Sequence, residues 1–422
     1  MPTKKVNAQL IKKLNEVRIL NLVRYEGPIS RIELAKKTGI SKVAVSEIIR
    51  RLDDAGYILE IGKGTSTKRG GKRPTMIKIN PENGYVFGIE IHLKKATIAL
   101  ADLESKIICR DVVAYSKDTS AEKGMALIFD AMDRLLEKCT IESSQLVSIG
   151  IGLPGLSDYT DEQAFFSDTL KGFGHKLLGE KFARKYQVSV TIENDVNAMT
   201  VGEQLLGAGR NERNFVYIWI GEGLGAGIVV DDHLIRGHYG SAGELGYLEL
   251  GYMLADRSRL PNLYTSNQEF FGNVMSEEHL TETLQLKLQW KTGEDKEKIS
   301  NMSLAEIIDE YSTKYPIVHE VLDEYAHLLS IICTVLLKTI DPNLIIIGGS
   351  IIENSEYLLV KTRQLVKQRM INIPFRPTDI IQGELKEDAC IKGAISLALQ
   401  TIFEPVLRQS KGSKKIYSPE EE

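Results

Sequence analysis

Asn194 and Asp195 lie where a predicted buried strand, residues 188–192, meets a predicted helix, residues 196–206. Polar side chains at the end of such a strand project into a cleft, where they contact ligands. A carboxylate such as that of Asp195 accepts hydrogen bonds from two hydroxyl groups without any bond being made or broken. The alternative is that Asp195 caps the following helix, a structural role that can coexist with ligand binding.

A second chemically distinctive group of residues is basic and lies near the N-terminus. Residues 1–80 hold 18 Lys and Arg against 7 Asp and Glu, a net charge of +11, whereas the rest of the chain holds 35 against 50, a net charge of −15. A basic region on an acidic body indicates contact with a polyanion. Charge alone leaves open a solvated surface that has no partner.

The elements that position these basic residues form a helix-turn-helix pattern. Apolar spacing predicts helices over residues 7–24, 31–37 and 42–55. Their bounds follow from capping and turn residues: Ser30 with Glu33 in a capping box, Gly39 in the turn, and Ser41 as the next N-cap. The positions predicted to be buried are Ala35, Ile40, Val45, Ile48, Ile49 and Leu52.

The third predicted helix has the outward-facing residues of a recognition helix, which enters the major groove and meets base edges with its N-terminal residues. Two strand-like runs, residues 57–61 and 75–79, then flank a Gly-, Lys- and Arg-rich tip that predicts a β-hairpin wing. The predicted DNA contacts are Lys42, Val43, Ser46 and Arg50 on the helix, and Lys68, Arg69, Lys72 and Arg73 on the wing.

The body after residue 81 begins with three predicted strands, a helix over residues 121–138 and a buried strand over residues 147–151. This β-β-β-α-β order is typical of the actin-like, ribonuclease-H-like fold. A long helix over residues 317–340, a strand over 343–347 and a final helix over 389–403 follow. The charged tail, residues 409–422, is expected to be disordered.

Several segments of the chain resemble the ROK family, which contains sugar kinases and repressors, and within it the xylose repressors. The segments are ISRIELAKKTGISKVAVSEIIRRL, GGKRP, GIGLPG, IENDVNAMTVGE, GEGLGAGIVVDDHLIRG, GSAGELGY and NLIIIGGS. The resemblance implies a winged helix-turn-helix domain (residues 1–80) joined to a two-lobed α/β body with the actin-like ATPase, sugar-kinase fold. We expect its N-lobe over residues 81–200 and its C-lobe, with the oligomerisation region, over residues 201–408.

The same resemblance implies a sugar site. In the kinases the residue matching Asp195 takes a proton from the sugar hydroxyl, and the residue matching Glu244 accepts from sugar hydroxyls. The loop that often supplies an Asn to the sugar here reads FFSDTL, residues 165–170, and has none. The residues that the resemblance implies at the site are Gly155, Asn194, Asp195, Glu244, Tyr247 and Glu269.

Two features of the family's chemistry are missing from the sequence. The first nucleotide turn, which needs glycines so that backbone N–H groups can approach phosphates, reads EIHLKK over residues 90–95. No cysteine follows Tyr247 in the stretch where many members carry zinc ligands. We therefore expect no catalysis, no nucleotide cofactor and no structural zinc. The pocket loop would instead be held by aromatic packing of Tyr247, Tyr252, Tyr264, Phe270 and Phe271.

The sequence thus predicts a cytoplasmic repressor with reduced cysteines (Cys109, Cys139, Cys333 and Cys390) and no membrane segment. The resemblance implies that it binds double-stranded operator DNA of a carbohydrate-utilisation operon as a homodimer or homotetramer and responds to a monosaccharide, xylose or a related sugar. Two alternatives stay open. One is a sugar kinase with an attached regulatory domain; the other is a repressor whose sugar pocket is vestigial.

Overall fold

The N-terminal region folds as three helices and a small three-stranded sheet. In the computed structural model, α1 spans Ala8–Glu26, α2 Arg31–Thr38 and α3 Lys42–Asp54, and the strands are β1 (Ile29–Ser30), β2 (Ile58–Lys63) and β3 (Thr75–Ile79). The model describes residues 8–64, 73–92, 94–116, 119–157, 165–166, 175–250, 260–263, 270–293, 295–371, 378–403 and 415–418.

The predicted caps of this region are confirmed. Ser30 and Glu33 form a reciprocal capping box, and Gly39 adopts a left-handed conformation with φ of 72° at the end of α2. The side chain of Ser41 accepts a hydrogen bond from the backbone N–H of Ala44 at the start of α3. Strand β1 was not predicted; it pairs with β3 and makes the hairpin a three-stranded sheet in the order β1-β3-β2.

The predicted core of this region is largely confirmed. Val45, Ile48, Ile49 and Leu52 are buried on one side of α3. Ala35 and Ile40 are only half-buried, because Leu34 and Thr38 form the buried side of α2 instead.

The chain divides into two compact units. The first comprises Met1–Leu153, Glu162–Glu193 and Ala394–Glu422, and the second comprises Pro154–Asp161 and Asn194–Gly393. The first unit therefore contains the three-helix region just described together with the first sheet of the body.

The first unit is built on a six-stranded mixed sheet in the order β16-β10-β7-β4-β5-β6. The observed β4-β5-β6-α4-β7 order is the predicted one. Helix α4 packs on β5 and β6 through its buried side. The elements are β4 (Tyr85–Ile91), β5 (Lys95–Asp102), β6 (Ile107–Ala114), α4 (Ala121–Cys139), β7 (Leu146–Leu153), β8 (Leu156–Ser157), β9 (Phe165–Phe166), α5 (His175–Tyr186) and β10 (Ser189–Asn194).

The C-terminal tail contributes the edge strand of this sheet. Lys415–Tyr417 form β16, which pairs antiparallel with β10 so that Ile416 lies opposite Thr191. The prediction of disorder is therefore wrong for these three residues, because main-chain pairing with an exposed strand edge does not require an apolar sequence. Residues 404–414 and 419–422 lie outside the described part of the chain.

The second unit is built on a five-stranded sheet in the order β13-β12-β11-β14-β15, covered by helices. Its first elements are α6 (Asp195–Leu206), β11 (Phe215–Ile220), β12 (Leu224–Val230), β13 (His233–Ile235) and α7 (Phe271–Val274). The helices that follow are α8 (Glu277–Lys291), α9 (Lys296–Ser300), α10 (Leu304–Tyr311) and α11 (Pro316–Thr339). The last elements are β14 (Leu344–Gly348), α12 (Ser350–Glu353), α13 (Glu356–Met370), β15 (Asp379–Gln382) and α14 (Ala389–Phe403).

Helix α14 makes unusually close backbone contacts within each unit. A Cβ atom placed on Gly150 of β7 would lie 1.9 Å from the carbonyl oxygen of Ala394, and one on Gly393 would lie 1.8 Å from the carbonyl oxygen of Ala198. Ser148 also donates a hydrogen bond of 2.8 Å to the carbonyl of Ala398. Only glycine permits these approaches. They let α14 pack closely on β7 in the first unit and on α6 in the second.

Among the described residues, no helix combines the length and the apolar character needed to cross a bilayer. The four cysteines are free thiols, and Cys333 and Cys390 are buried.

Candidate functional site

Helix α3 presents all four predicted DNA-contacting residues to solvent. Lys42, Val43, Ser46 and Arg50 are exposed, on the side of the helix opposite its buried apolar stripe. The Ser41 cap leaves the first turn of α3 at the surface, where backbone N–H groups can meet phosphate oxygens. The arrangement fits a helix that enters a DNA groove by its N-terminal end.

Ion pairs distinguish the two adjacent arginines of α3, which the sequence alone does not. Arg51 pairs with Glu16 of α1 at 2.9 Å and with Glu47 at 3.1 Å, and so ties α3 to α1. Arg50 has only a 4.0 Å contact with Asp54, and both side chains are exposed. Arg50 is therefore the arginine that can turn to an external phosphate or base.

The wing is described only at its base. Arg73 is exposed next to β3, whereas Lys68, Arg69 and Lys72 lie outside the described residues. Arg31 of α2 pairs with Glu60 of β2, so the wing is fastened to the helices through an exposed ion pair. Such a pair contributes little stability but holds the register between the two elements.

Helix α1 connects this N-terminal region to the body of the first unit. The Asn21 amide donates a hydrogen bond of 2.5 Å to the carbonyl oxygen of Phe403, the last residue of α14. The Arg24 guanidinium lies 4.5 Å from the centroid of the Phe403 ring and donates to the hydroxyl of Ser105 in the β5–β6 turn at 2.8 Å. These contacts were not predicted, because they join residues that are distant in sequence.

Four of the six predicted effector residues, Gly155, Asn194, Asp195 and Glu244, lie near one another in the second unit. Asn194 is the N-cap of α6, and its side chain accepts from the N–H of Asn197 at 3.1 Å and donates to the carbonyl of Gly155 at 3.2 Å. The capping role considered for Asp195 thus belongs to Asn194. Gly155 has a φ of 112°, a conformation that residues with a side chain rarely adopt.

Asp195 and Glu244 form the acidic part of this group. Asp195 is the first residue of α6, and its Oδ1 accepts a hydrogen bond of 2.9 Å from the N–H of Val196. Burial, and then the negative charge of Asp195, raise the pKa of Glu244 to about 7. A carboxylate beside a carboxyl group of raised pKa can together accept hydrogen bonds from vicinal hydroxyl groups and donate one to them.

The raised pKa of Glu244 predicts a pH-dependent stability. The folded protein holds this proton between about pH 4.5 and 7 whereas the unfolded chain releases it, so stability falls across that window as pH rises. We expect Glu244→Gln to raise the free energy of unfolding by about 1–2 kcal/mol at pH 8, allowing for solvent screening, and by much less near pH 4. Urea unfolding at both pH values measures this. Glu249→Gln, at an exposed position, is the matched control, and an equal gain from it would contradict the assignment.

Of the other two predicted effector residues, the structure describes Tyr247 but not Glu269. Tyr247 is 60% exposed at the end of a short 3₁₀ helix, Leu245–Tyr247. Its ring packs edge-on against that of Phe270, with 6.4 Å between the ring centroids. Glu269 lies outside the described residues, as do Tyr252 and Tyr264. Of the aromatic residues expected to hold the pocket loop, Phe271 is fully buried, and its N–H donates to the carbonyl of Leu248 at 2.9 Å.

A buried carboxylate that the sequence analysis missed holds part of the same loop. Glu324 of α11 is 8% exposed. It accepts from the backbone N–H and the side-chain amide of Asn262 and from the N–H of Leu263, at 2.9, 2.5 and 3.0 Å. His279 of α8 contacts the carbonyl of Leu263 at 2.8 Å. The signal was present in the sequence: Glu324 occupies an apolar position of α11, three residues after Val321.

The residues present do not fit the zinc site expected in many members of the family. Within the described part of the chain no group of three or more His, Cys, Asp or Glu side chains could hold a metal ion. The stretch after Tyr247 has no thiol to offer. Polar anchoring by Glu324 and His279 therefore supplements the aromatic packing that the sequence predicted.

In the first unit, hydrogen bonds among His92, Lys95 and Tyr115 close the first nucleotide turn. The His92 N–H donates to the carbonyl of Lys95 at 2.8 Å, and the Tyr115 hydroxyl donates to the carbonyl of His92 at 2.6 Å. The His92 ring lies 2.9 Å from the carboxylate of buried Glu90. A hairpin closed in this way presents side chains and an acidic group where a phosphate would need free N–H groups.

The segment GEGLGAG, residues 221–227 in the second unit, is a second Gly-rich turn, and two of its glycines are required for packing. A Cβ on Gly225 or Gly227 would collide with Val196 or Thr200 of α6, so these two glycines let β12 approach that helix. Beside the later turn that carries Ser350, the Ser350 hydroxyl donates to the carboxylate of Glu277. An acidic side chain therefore already binds one of the groups that this turn could offer to a phosphate.

Comparison with known proteins agrees with this architecture. Residues 86–401 match the model of the ROK family, and residues 14–58 match a winged helix-turn-helix DNA-binding model. The chain is 28% identical to the xylose repressor of Bacillus subtilis (strain 168) over 396 residues, which cover 94% of this chain and 97% of that protein.

Solved structures show the same fold. A ROK family transcriptional regulator described as a homologue of the E. coli MLC protein superposes with a TM-score of 0.75 at 21% identity, over 93% of this chain and 97% of its own. A ROK family glucokinase from Streptomyces griseus, in complex with glucose and AMPPNP, superposes with a TM-score of 0.61 at 24% identity, over 75% of this chain and 100% of its own. The chain therefore belongs to the ROK family and carries a winged helix-turn-helix domain ahead of its ROK domain.

Proposed function

We infer that this protein is a transcriptional repressor that binds operator DNA through α3 and the wing and is released or retained there by a sugar bound at Asp195 and Glu244. The observation that carries this proposal is the solvent-facing set Lys42, Ser46 and Arg50 on a helix held by its cap and by Arg51. The similarity to the Bacillus subtilis xylose repressor over nearly the whole chain supports it.

A role as repressor accounts for the residues better than a role as sugar kinase. A kinase of this fold needs free backbone N–H groups at two phosphate turns. The first of these turns is closed by His92, Lys95 and Tyr115. At a further Gly-rich turn, the Ser350 hydroxyl donates to the carboxylate of Glu277. A coupled assay with Mg-ATP and a panel of pentoses and hexoses is expected to show no turnover, and measurable phosphorylation of any sugar would favour the kinase alternative.

The proposed effector is a monosaccharide, with xylose as the first candidate because of the xylose repressor relative. Asp195 and Glu244 would each accept hydroxyl hydrogen bonds, and Asn194 with Gly155 would shape the neighbouring turn. For the sugar to control DNA binding, it must bind one state of the protein more tightly than the other. A homodimer or homotetramer in the cytoplasm, on a palindromic operator, completes the proposal.

The DNA-binding part of the proposal predicts a salt-dependent interaction. Between about 50 and about 200 mM salt, operator affinity should fall at least about tenfold, because binding releases counterions from neutralised phosphates. Arg50→Ala should weaken binding and flatten this dependence. Arg184→Ala, an exposed arginine of α5, should leave both unchanged. Fluorescence anisotropy of full-length protein on labelled duplex measures these effects, and binding that is insensitive to salt would contradict the proposal.

The loop anchor predicts a selective effect on the effector. Glu324→Gln replaces an acceptor of three hydrogen bonds by a group that presents its own N–H donors, and should weaken sugar binding roughly tenfold. Operator affinity should not change. Glu320→Gln, an exposed glutamate one turn earlier on α11, is the matched control. Calorimetry with the sugar and anisotropy with DNA separate the two readouts; equal losses in both would make Glu324 a residue of general stability only.

A further inference from the structure

Val43, at 80% exposure, is the most exposed large hydrophobic side chain among the described residues of the N-terminal region. It is the second residue of α3, between Lys42 and Ala44, on the helix side that carries Ser46 and Arg50. The core of this region is made by other residues of α3, among them Val45 and Ile49. Val43 therefore adds nothing to that core, and valine is also a weaker helix former than alanine.

The conformational stiffness of valine makes this exposed group suited to recognition. In a helix a valine side chain keeps one dominant χ1 rotamer, so its two methyl groups point in a fixed direction. A contact made by such a group costs little side-chain entropy. The same position filled by a long polar residue would have to order several torsions before it could bind.

The chemistry of the major groove supplies one apolar partner for such a group. Each base pair presents hydrogen-bond donors and acceptors there, and thymine alone of the four common bases adds a C5-methyl group. N-terminal residues of a recognition helix are the ones that reach base edges. The neighbouring polar residues cannot make this apolar contact. Lys42 and Arg50 suit phosphates or guanine, and Glu47 forms an ion pair with Arg51 at 3.1 Å.

We propose that Val43 is a specificity-determining residue that recognises the C5-methyl group of one thymine in each operator half-site. This proposal rests on the proposed function and deepens it, because it assigns a base identity to one position of the DNA. Burial of one methyl group accounts for about a fourfold gain in affinity per half-site, and about fifteenfold for two independent half-sites.

The first experiment identifies the DNA and the position. Full-length wild-type protein and Val43→Ala are each used to select duplexes from a randomised library. The Val43→Ala variant should fold, because the Val43 side chain is exposed and alanine favours helix. We expect the variant to lose the preference for thymine at one position of each half-site and to keep the other preferences. If the wild-type protein selects no duplex above the random background, the proposed function fails and this proposal fails with it.

The second experiment tests the methyl group itself. In the selected duplex each thymine in turn is replaced by deoxyuridine, which lacks only that methyl group. At one position per half-site the replacement should cost the wild-type protein about fourfold in affinity and cost Val43→Ala nothing. Ile32→Ala, at a 60% exposed isoleucine of α2, should keep the wild-type penalty. If every replacement costs Val43→Ala as much as it costs the wild type, Val43 does not read a methyl group and the proposal is overturned, while the proposed function stands.

Discussion

Replacement of Asp195 by alanine is expected to abolish the response to sugar and to leave operator binding intact. Asp195 begins α6 and lies beside Glu244, whose pKa it raises. A charged group that accepts two hydroxyl hydrogen bonds contributes roughly 1.5–3 kcal/mol for each, so its loss should weaken sugar binding at least about 100-fold. Titration calorimetry with xylose and other monosaccharides measures this loss.

The structure gives this experiment two controls. Asn194 is the cap of α6, so Asn194→Ala should lower thermal stability through loss of that cap. Asp195→Asn keeps the shape and one acceptor and should retain part of the affinity. If Asp195→Ala loses operator binding together with sugar binding, Asp195 is structural and the effector site is wrongly assigned. If wild type binds no pentose or hexose, the pocket is vestigial.

Replacement of Gly150 by alanine is expected to destabilise the first unit by about 1–3 kcal/mol or more, the cost of overpacking a well-packed core. The added Cβ would lie 1.9 Å from the carbonyl oxygen of Ala394 and 3.1 Å from the backbone nitrogen of Ala398. These are backbone atoms of α14, so the whole helix must shift. Because α14 ends at Phe403, which contacts Asn21 of α1, the shift should also weaken the attachment of the DNA-binding region.

Urea unfolding and operator anisotropy together test this expectation. Gly223→Ala is the matched control, since nothing lies within 4 Å of a Cβ placed on Gly223 and its backbone is not left-handed. The control should leave both measurements unchanged. A Gly150→Ala protein as stable as the wild type would show that α14 does not pack on β7 as described.

Local chemistry made several elements predictable from the sequence. Caps and turns involve residues within four positions of each other, so Ser30 with Glu33, Gly39 and Ser41 could be assigned before the fold was known. The strand Thr75–Ile79 and the helix Ala389–Phe403 have the predicted bounds, because their apolar runs are bordered by Pro, Gly or polar residues.

Features that depend on long-range contact were missed. Glu203 and Glu324 are acidic residues whose carboxylates are buried. Glu203 accepts from the N–H of Ala208 at 2.7 Å and of Leu385 at 2.9 Å. The sequence shows only that each occupies a helix among apolar residues. Leu385 for Glu203, and Asn262 and Leu263 for Glu324, are partners far along the chain, which no local pattern records.

The sequence by itself determined the family, the order of elements, the basic N-terminal charge and the exposed side of α3, because each depends on residue type and on spacing along one helix or strand. The tertiary structure alone decided which arginine of α3 is held by Glu16, which residue caps α6, and which carboxylate anchors Leu263. The physical reason is that a hydrogen bond or ion pair between distant segments depends on distances that only the folded chain establishes.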